Sequence, residues 1–203
     1  MQRVSFFIDG FNFYHAVDAK SQYHKYKWIS FSRLAQSYLL KSEQLADVFY
    51  FTTLAAWNPA KVARHRLFIR AQELEGVKLV YGEFKQKQKR CPLCHQVFRT
   101  VEEKQTDVNI ALALFQQAVL DTYDNAVIVS GDTDLIPAIN AVRKTFPTKR
   151  VGSLIPIGRA SEDLKKQTDF HFKMKEQQLL SSRMNDVIAL GNGQSLVCPP
   201  HWR

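Results

Sequence analysis

Cysteine is scarce in this 203-residue chain. There are three, Cys91, Cys94 and Cys198, an odd number that does not suit a framework of paired disulfides. Glycine is sparse as well, at eight, and no GxGxxG run follows the first apolar segment, which removes the phosphate-binding signature of a dinucleotide fold. No window approaches the roughly 18 apolar residues of a membrane-spanning helix. The N-terminal MQRVSFFIDG meets a carboxylate too early for a secretory leader, so a soluble cytoplasmic protein is expected. Acidic residues are outnumbered by Lys and Arg, 19 to 28, and the formal charge of +9 favours a polyanion such as nucleic acid. No repeat or low-complexity linker divides the chain, and its length suits one hydrophobic core with embellishments.

What the sequence does contain is alternation. Val4 to Ile8 is a β-rich run stopped at Asp9-Gly10, and a helix is expected from about Phe11 to Ala19. Phe31, Leu34, Ala35, Tyr38 and Leu39 predict a helix over Phe31 to Leu40 with Ser30 as cap. A strand is expected over Asp47 to Thr53, then a helix opened by Asn58-Pro59 and closed at Gly76. Val77 to Tyr81 reads as a strand. Thr106 is placed to cap a helix whose apolar face is read as Val108, Ala111, Leu112, Phe115 and Val119. Strand Ala126–Val129, helix Leu135–Lys144, strand Val151–Ile155, helix Ser161–Gln167 and edge strand Phe170–Met174 complete the series. Such alternation predicts an α/β sheet covered on both faces, with right-handed crossovers carrying every strand-following loop to one edge, where ligands of open α/β sheets bind.

Asp9 and Asp132 fall at that edge, Asp134 is two residues further on, and Asp107 opens a helix. Singly, each could serve as a cap or turn residue. Together, four converging carboxylates repel one another unless a cation intervenes. Mg2+ or Mn2+ suits such oxygen ligands, and a hard cation there can polarise a phosphate oxygen, activate water and stabilise a leaving oxygen. Phosphodiester hydrolysis fits this set. A phosphatase of the haloacid dehalogenase type also places Asp after its first strand, but it needs a second Asp where this chain has Phe11.

FFIDGFNFYHA, EEKQTDVNIALALF and DNAVIVSGDTDLIPAINAVR resemble, in order and spacing, the motifs of the NYN domain, the LabA-like branch of the PIN-like nuclease superfamily. The resemblance runs from about Val4 to Met174. It implies a PIN-like three-layer α/β/α sandwich with a mainly parallel central sheet and a metal-dependent ribonuclease using Asp9, Asp107, Asp132 and Asp134 as catalytic and Mg2+ or Mn2+ ligands. It also makes Asn12 a site residue. The wider superfamily implies a further acidic residue from an early helix, for which Glu43, Asp47 and Glu73 are candidates by position. The alternative is an RNA-binding or regulatory PIN-like protein with little hydrolytic activity.

The nuclease domain is expected over residues 1–183, with an insertion at 83–105 and a C-terminal tail at 184–203 that includes a Gly191-Asn192-Gly193 turn. Cys91-Pro92-Leu93-Cys94 has the spacing of half a Zn2+ site, which Cys198 and His201 would complete if the tail folded over the insertion. Lys85, Lys87, Lys89, Arg90, Arg99 and Lys104 crowd the insertion, interrupted by Phe84 and Phe98, a pattern suited to single-stranded RNA. Ser130 and Thr106 are further candidates for contacting a phosphate. A homodimer is left open.

Overall fold

The computed structural model describes residues 1–191 and 193–203. Asn192, at the centre of the expected tail turn, lies outside the described residues. The central sheet has six strands, β1 (Gln2–Asp9), β2 (Glu43–Thr52), β3 (Lys78–Tyr81), β6 (Asn125–Val129), β7 (Arg150–Ile155) and β8 (Phe170–Lys173). Their order is β3-β2-β1-β6-β7-β8 and every pairing is parallel. Strand order therefore runs outward from β1 in both directions. The crevice between β1 and β6 is the topological switch point of the sheet, where ligands of open α/β sheets bind.

Period-two alternation assigns the core. Val4, Phe6, Ile8, Val48, Tyr50, Val127 and Val129 face one buried cluster, and Phe7, Phe49, Phe51, Ala126 and Ile128 face the other. Helices α1 (Gly10–Asp18), α2 (Phe31–Gln36) and α3 (Pro59–Leu74) cover the first face through Phe13, Val17, Phe31, Leu34, Phe68 and Ile69. Helices α4 (Thr106–Val119), α5 (Ile136–Thr145) and α6 (Glu162–Gln167) cover the second through Ile110, Leu114, Ile139, Val142 and Leu164. This is the expected three-layer α/β/α sandwich.

Two expectations change. Helix α2 ends at Gln36 because the next amides tighten to i→i−3 bonds, Tyr38 to Ala35 and Leu39 to Gln36, although Tyr38 and Leu39 still pack on the core. On α4 the buried stripe is Thr106, Ile110, Leu114 and Ala118, while Val108, Leu112 and Val119 are exposed. The helix is apolar on more than one side, so its period alone leaves the inward face undecided.

Residues 83–105 fold as an antiparallel hairpin, β4 (Glu83–Arg90) with β5 (Val97–Lys104). Beyond β8 the chain forms α7 (Glu176–Ser181) and a second hairpin, β9 (Val187–Leu190) with β10 (Gln194–Val197). That segment is fastened to the first face: the Trp28 indole donates to the Asn185 carbonyl at 2.9 Å, and Leu196, Cys198 and Trp202 join the core there.

Candidate active site

Asp9 is the last residue of β1 and is only 3% exposed. A buried carboxylate needs donors, and this one has two. Its Oδ1 accepts from the Asn12 amide at 2.9 Å, capping α1, and its Oδ2 accepts from the Ser130 hydroxyl at 2.9 Å. Burial nevertheless pushes its pKa up to about 6, against those two bonds, and the charges of Asp107 and Asp132 add to the rise.

The loop after β6 is tied to the same point. Ser130 Oγ accepts from the Asp132 amide at 3.0 Å, and Asn12 Oδ1 accepts from the Gly131 amide at 3.1 Å. Asp132 caps the following 3-10 turn by accepting from the Asp134 amide at 2.9 Å. Asp132 caps through Oδ1, whereas Asp9 caps through Oδ1 and has its Oδ2 engaged by Ser130. Asn12 does not itself cap α1; its side chain joins that helix to the β6 loop.

Asp107 lies in the first turn of α4. Carboxylate oxygens of Asp107, Asp132 and Asp134 all lie within 4.8 Å of one another, close enough to share a metal ion. Partial burial raises the Asp107 pKa first, and Asp132 and Asp134 raise it further, despite the favourable helix N-terminus. The repulsion expected from sequence is therefore present. Asp9 stands deeper, outside that trio but electrostatically coupled to it.

A fifth carboxylate joins from the hairpin. Glu103, on β5, accepts from the Thr53 hydroxyl at 3.4 Å, and its pKa is pushed up to about 7 by burial and then by Asp9 and Asp107. Glu103 is not among the residues singled out from the sequence; the signal was the alternation in VFRTVEEK, which turns Glu103 and Glu102 to opposite faces. The three earlier candidates lie elsewhere. Glu43 begins β2 at the opposite edge and accepts from Asn125 at 2.9 Å, Asp47 pairs with Lys78 at 2.7 Å, and Glu73 pairs with Arg70 at 3.4 Å.

Other expected residues are placed differently. Ser130 is fully buried and Thr106 is 3% exposed, so neither hydroxyl presents itself to a strand of nucleic acid. Ser130 instead positions Asp9 and Asp132. Thr106 is not a cap either: it follows Gln105, which takes a left-handed φ of 76°, and its buried Oγ1 has no hydrogen-bond partner among the described residues. Among the hairpin cations, Lys87, Lys89 and Lys104 all pair with Glu102 at 2.6, 2.8 and 3.2 Å, and Lys85 approaches Glu83 at 3.6 Å. Arg90 donates to the His95 carbonyl at 3.1 Å, and Arg99 is exposed. The basic track is thus partly neutralised by its own acids.

The four proposed zinc ligands are not assembled. Cys91 and Cys94 sit at the tip of the β4–β5 hairpin, Cys198 is fully buried with its thiol directed at the Pro199 carbonyl, and His201 is exposed. Among the described residues, the aspartate trio is the one group of three or more close enough to share an ion. Burial in the core pulls Cys198 away, a constraint no cysteine spacing reveals.

Beside the acidic edge opens a cavity of about 350 Å³. Gly10 and Thr53 connect it to Asp9 and Glu103, Phe11, Trp57 and Phe84 stand among its walls, and Trp202 reaches it from the tail. Phe84 packs edge-on against Trp57 and Phe11, with centroids 4.6 and 5.4 Å apart. His65 lies 3.1 Å from both the Tyr50 and Thr52 hydroxyls, and burial lowers its pKa to about 4, so it is neutral at pH 7.

A parallel sheet covered on both faces, with carboxylates gathered at its switch point, defines the class as a PIN-like α/β sandwich. The family model for the NYN domain matches residues 3–175, and the chain belongs to that family, within the PIN-like nuclease superfamily. A protein of unknown function from Vibrio parahaemolyticus RIMD 2210633 shares the fold with a TM-score of 0.59 at 16% identity, over 86% of this chain and 94% of that one. The chain is also 25% identical to 6-hydroxy-3-succinoylpyridine 3-monooxygenase HspA of Pseudomonas putida (strain DSM 28022 / S16), over 76% of its own length. It spans 59% of that relative.

Proposed function

We propose that this protein is a divalent-metal-dependent ribonuclease cutting single-stranded RNA at the Asp107, Asp132 and Asp134 edge. The observation that carries the proposal is the convergence of three carboxylates within 4.8 Å, from helix α4 and the β6 loop, beside buried Asp9. Carboxylates that raise one another's pKa lack a positive charge, and an all-oxygen donor set suits Mg2+ or Mn2+. Asp107, Asp132 and Asp134 would hold the ion, which when bound supplies charge stabilisation to a phosphate and to its leaving oxygen.

The chain's own residues do the rest. Asn12 and Ser130 lock the loop that presents Asp132, so the site is organised before substrate arrives. Glu103, held by the Thr53 hydroxyl and raised in pKa by burial and by Asp9 and Asp107, adds a further carboxylate beside the ion site. Arg99 on the hairpin contacts the phosphate backbone, with Lys87, Lys89 and Lys104 beside it shared with Glu102, and such contacts confer little sequence preference. The expected partner is RNA.

A second reading is favoured by the relative named as a hydroxypyridine monooxygenase together with the aromatic cavity: the ligand would be a free heteroaromatic molecule. Cleavage of a labelled single-stranded RNA with Mn2+ decides between them. The parent protein should cut it, and Asp132→Asn should lose about a hundredfold or more in rate while keeping its circular dichroism spectrum and melting temperature. Equal cleavage by both proteins, or none by the parent at stoichiometric Mn2+, refutes the nuclease assignment.

A further inference from the structure

We infer that the cavity between α1, α3 and the β4–β5 hairpin receives a base of the bound RNA strand, next to the phosphate held at the carboxylates. The inference rests on the nuclease reading and adds to it a base-binding subsite.

Four features support it. At about 350 Å³ the cavity falls within the range of small-molecule pockets, roughly 300–1,000 Å³. Its mouth is aromatic, with Phe11, Trp57 and Phe84 clustered edge to face, and Trp57 is 49% exposed although it is a large indole. An aromatic face left open beside a cavity suits a planar ring that stacks on it. Deeper in, the walls are not purely apolar: neutral His65 with the Tyr50 and Thr52 hydroxyls offers both donors and acceptors to the edge of a heterocycle. Lys61 and Arg64 also line the space and supply positive charge for the sugar-phosphate that must accompany a base.

Position decides in favour of a base within a strand. Gly10, directly after Asp9, and Thr53, which donates to Glu103, both line the cavity, so it abuts the acidic edge. Phe84 and Val101 come from the hairpin whose next residues include Glu103 and Lys104. A strand that lays a phosphate at the carboxylates therefore brings a neighbouring base to the aromatic mouth. Stacking is indifferent to which base arrives, in keeping with little sequence preference.

The test uses the full-length protein in EDTA, which removes catalysis from the measurement, and a fluorescein-labelled decaribonucleotide. Trp57→Ala and Phe84→Leu should each weaken binding roughly tenfold, with the slope of log affinity against log salt unchanged because no phosphate contact is lost. A 4-thiouridine placed within the RNA should photocross-link to peptides containing Phe11, Trp57 or Phe84. Parental affinity in both variants, with cross-links confined to other surfaces, overturns the inference while leaving the nuclease reading intact. Loss of affinity in an RNA that the parent does not cleave would sink the nuclease reading and keep the subsite. If 2-hydroxypyridine quenches tryptophan fluorescence in the parent but not in Trp57→Ala, and RNA fails to displace it, the cavity serves a free heterocycle and the base assignment falls.

Discussion

Replacing Asp9 by asparagine should make the protein more stable at pH 8. Asp9 is buried, and its pKa rises from 3.8 to about 6 in the folded chain. Ionised Asp9 therefore disfavours folding. The difference corresponds to about 3 kcal/mol at a pH above both values. The sign follows from proton binding: the folded state holds the Asp9 proton more tightly, so the penalty is nearly absent below pH 3.8, grows between 3.8 and 6, and is complete above about 6. Asparagine carries no charge at any of these pH values. Its Oδ1 can still accept from the Asn12 amide, but its amide group would face the Ser130 hydroxyl as a donor where Asp9 accepted. Turning the Ser130 proton elsewhere costs about 1 kcal/mol. The net gain is about 2 kcal/mol at pH 8, or about 4–8 °C in melting temperature for a chain of this size. At pH 4 the order should vanish or invert, since only the hydrogen-bond cost is left. Thermal melts in EDTA at pH 4 and pH 8 measure both values. Added Mn2+ should then narrow the gap by stabilising the parent more than the variant. A variant less stable than the parent at pH 8 in EDTA would show that Asp9 is stabilised as an anion and would refute this account of the site.

Two further outcomes follow from the hairpin and its base. Gly82→Ala should destabilise by about 1–3 kcal/mol in chemical denaturation, because an added Cβ would lie 2.6 Å from Thr106 Oγ1, 2.7 Å from Thr53 Oγ1 and 3.0 Å from the Lys104 carbonyl; a neutral substitution would mean the hairpin sits further from α4. Glu102→Gln frees Lys87, Lys89 and Lys104 from their shared carboxylate, so RNA should bind more tightly at low salt and the log–log salt slope should steepen by about 0.7 per lysine recruited to phosphate. An unchanged slope would place these lysines outside the RNA path.

Much of this protein is legible in one dimension. Runs such as VSFFI and NAVIV end at polar or carboxylate residues, and because strand connections are short and right-handed, their order already directs Asp9 and Asp132 to one edge. The DGFN and SGDTD segments carry local hydrogen-bond chemistry, with Asp9 and Asp132 each accepting from an amide two or three residues on. Those bonds depend on neighbours in sequence, so sequence reveals them.

What the linear chain left open depends on partners distant in sequence. Which stripe of α4 turns inward was settled by the sheet, through Ile110 and Leu114 against Phe7 and Ile128. Ser130 became a buried bridge only because β6 lies beside β1. Cys198 was drawn into the core, away from Cys91 and Cys94, and Glu103 came to Thr53 across fifty residues of chain. Local propensity and pattern fix where strands and caps fall, since they are set by a few adjacent dihedrals and donors. Burial, charge coupling and the choice of face are properties of packed neighbours, and those exist only once the sheet has formed.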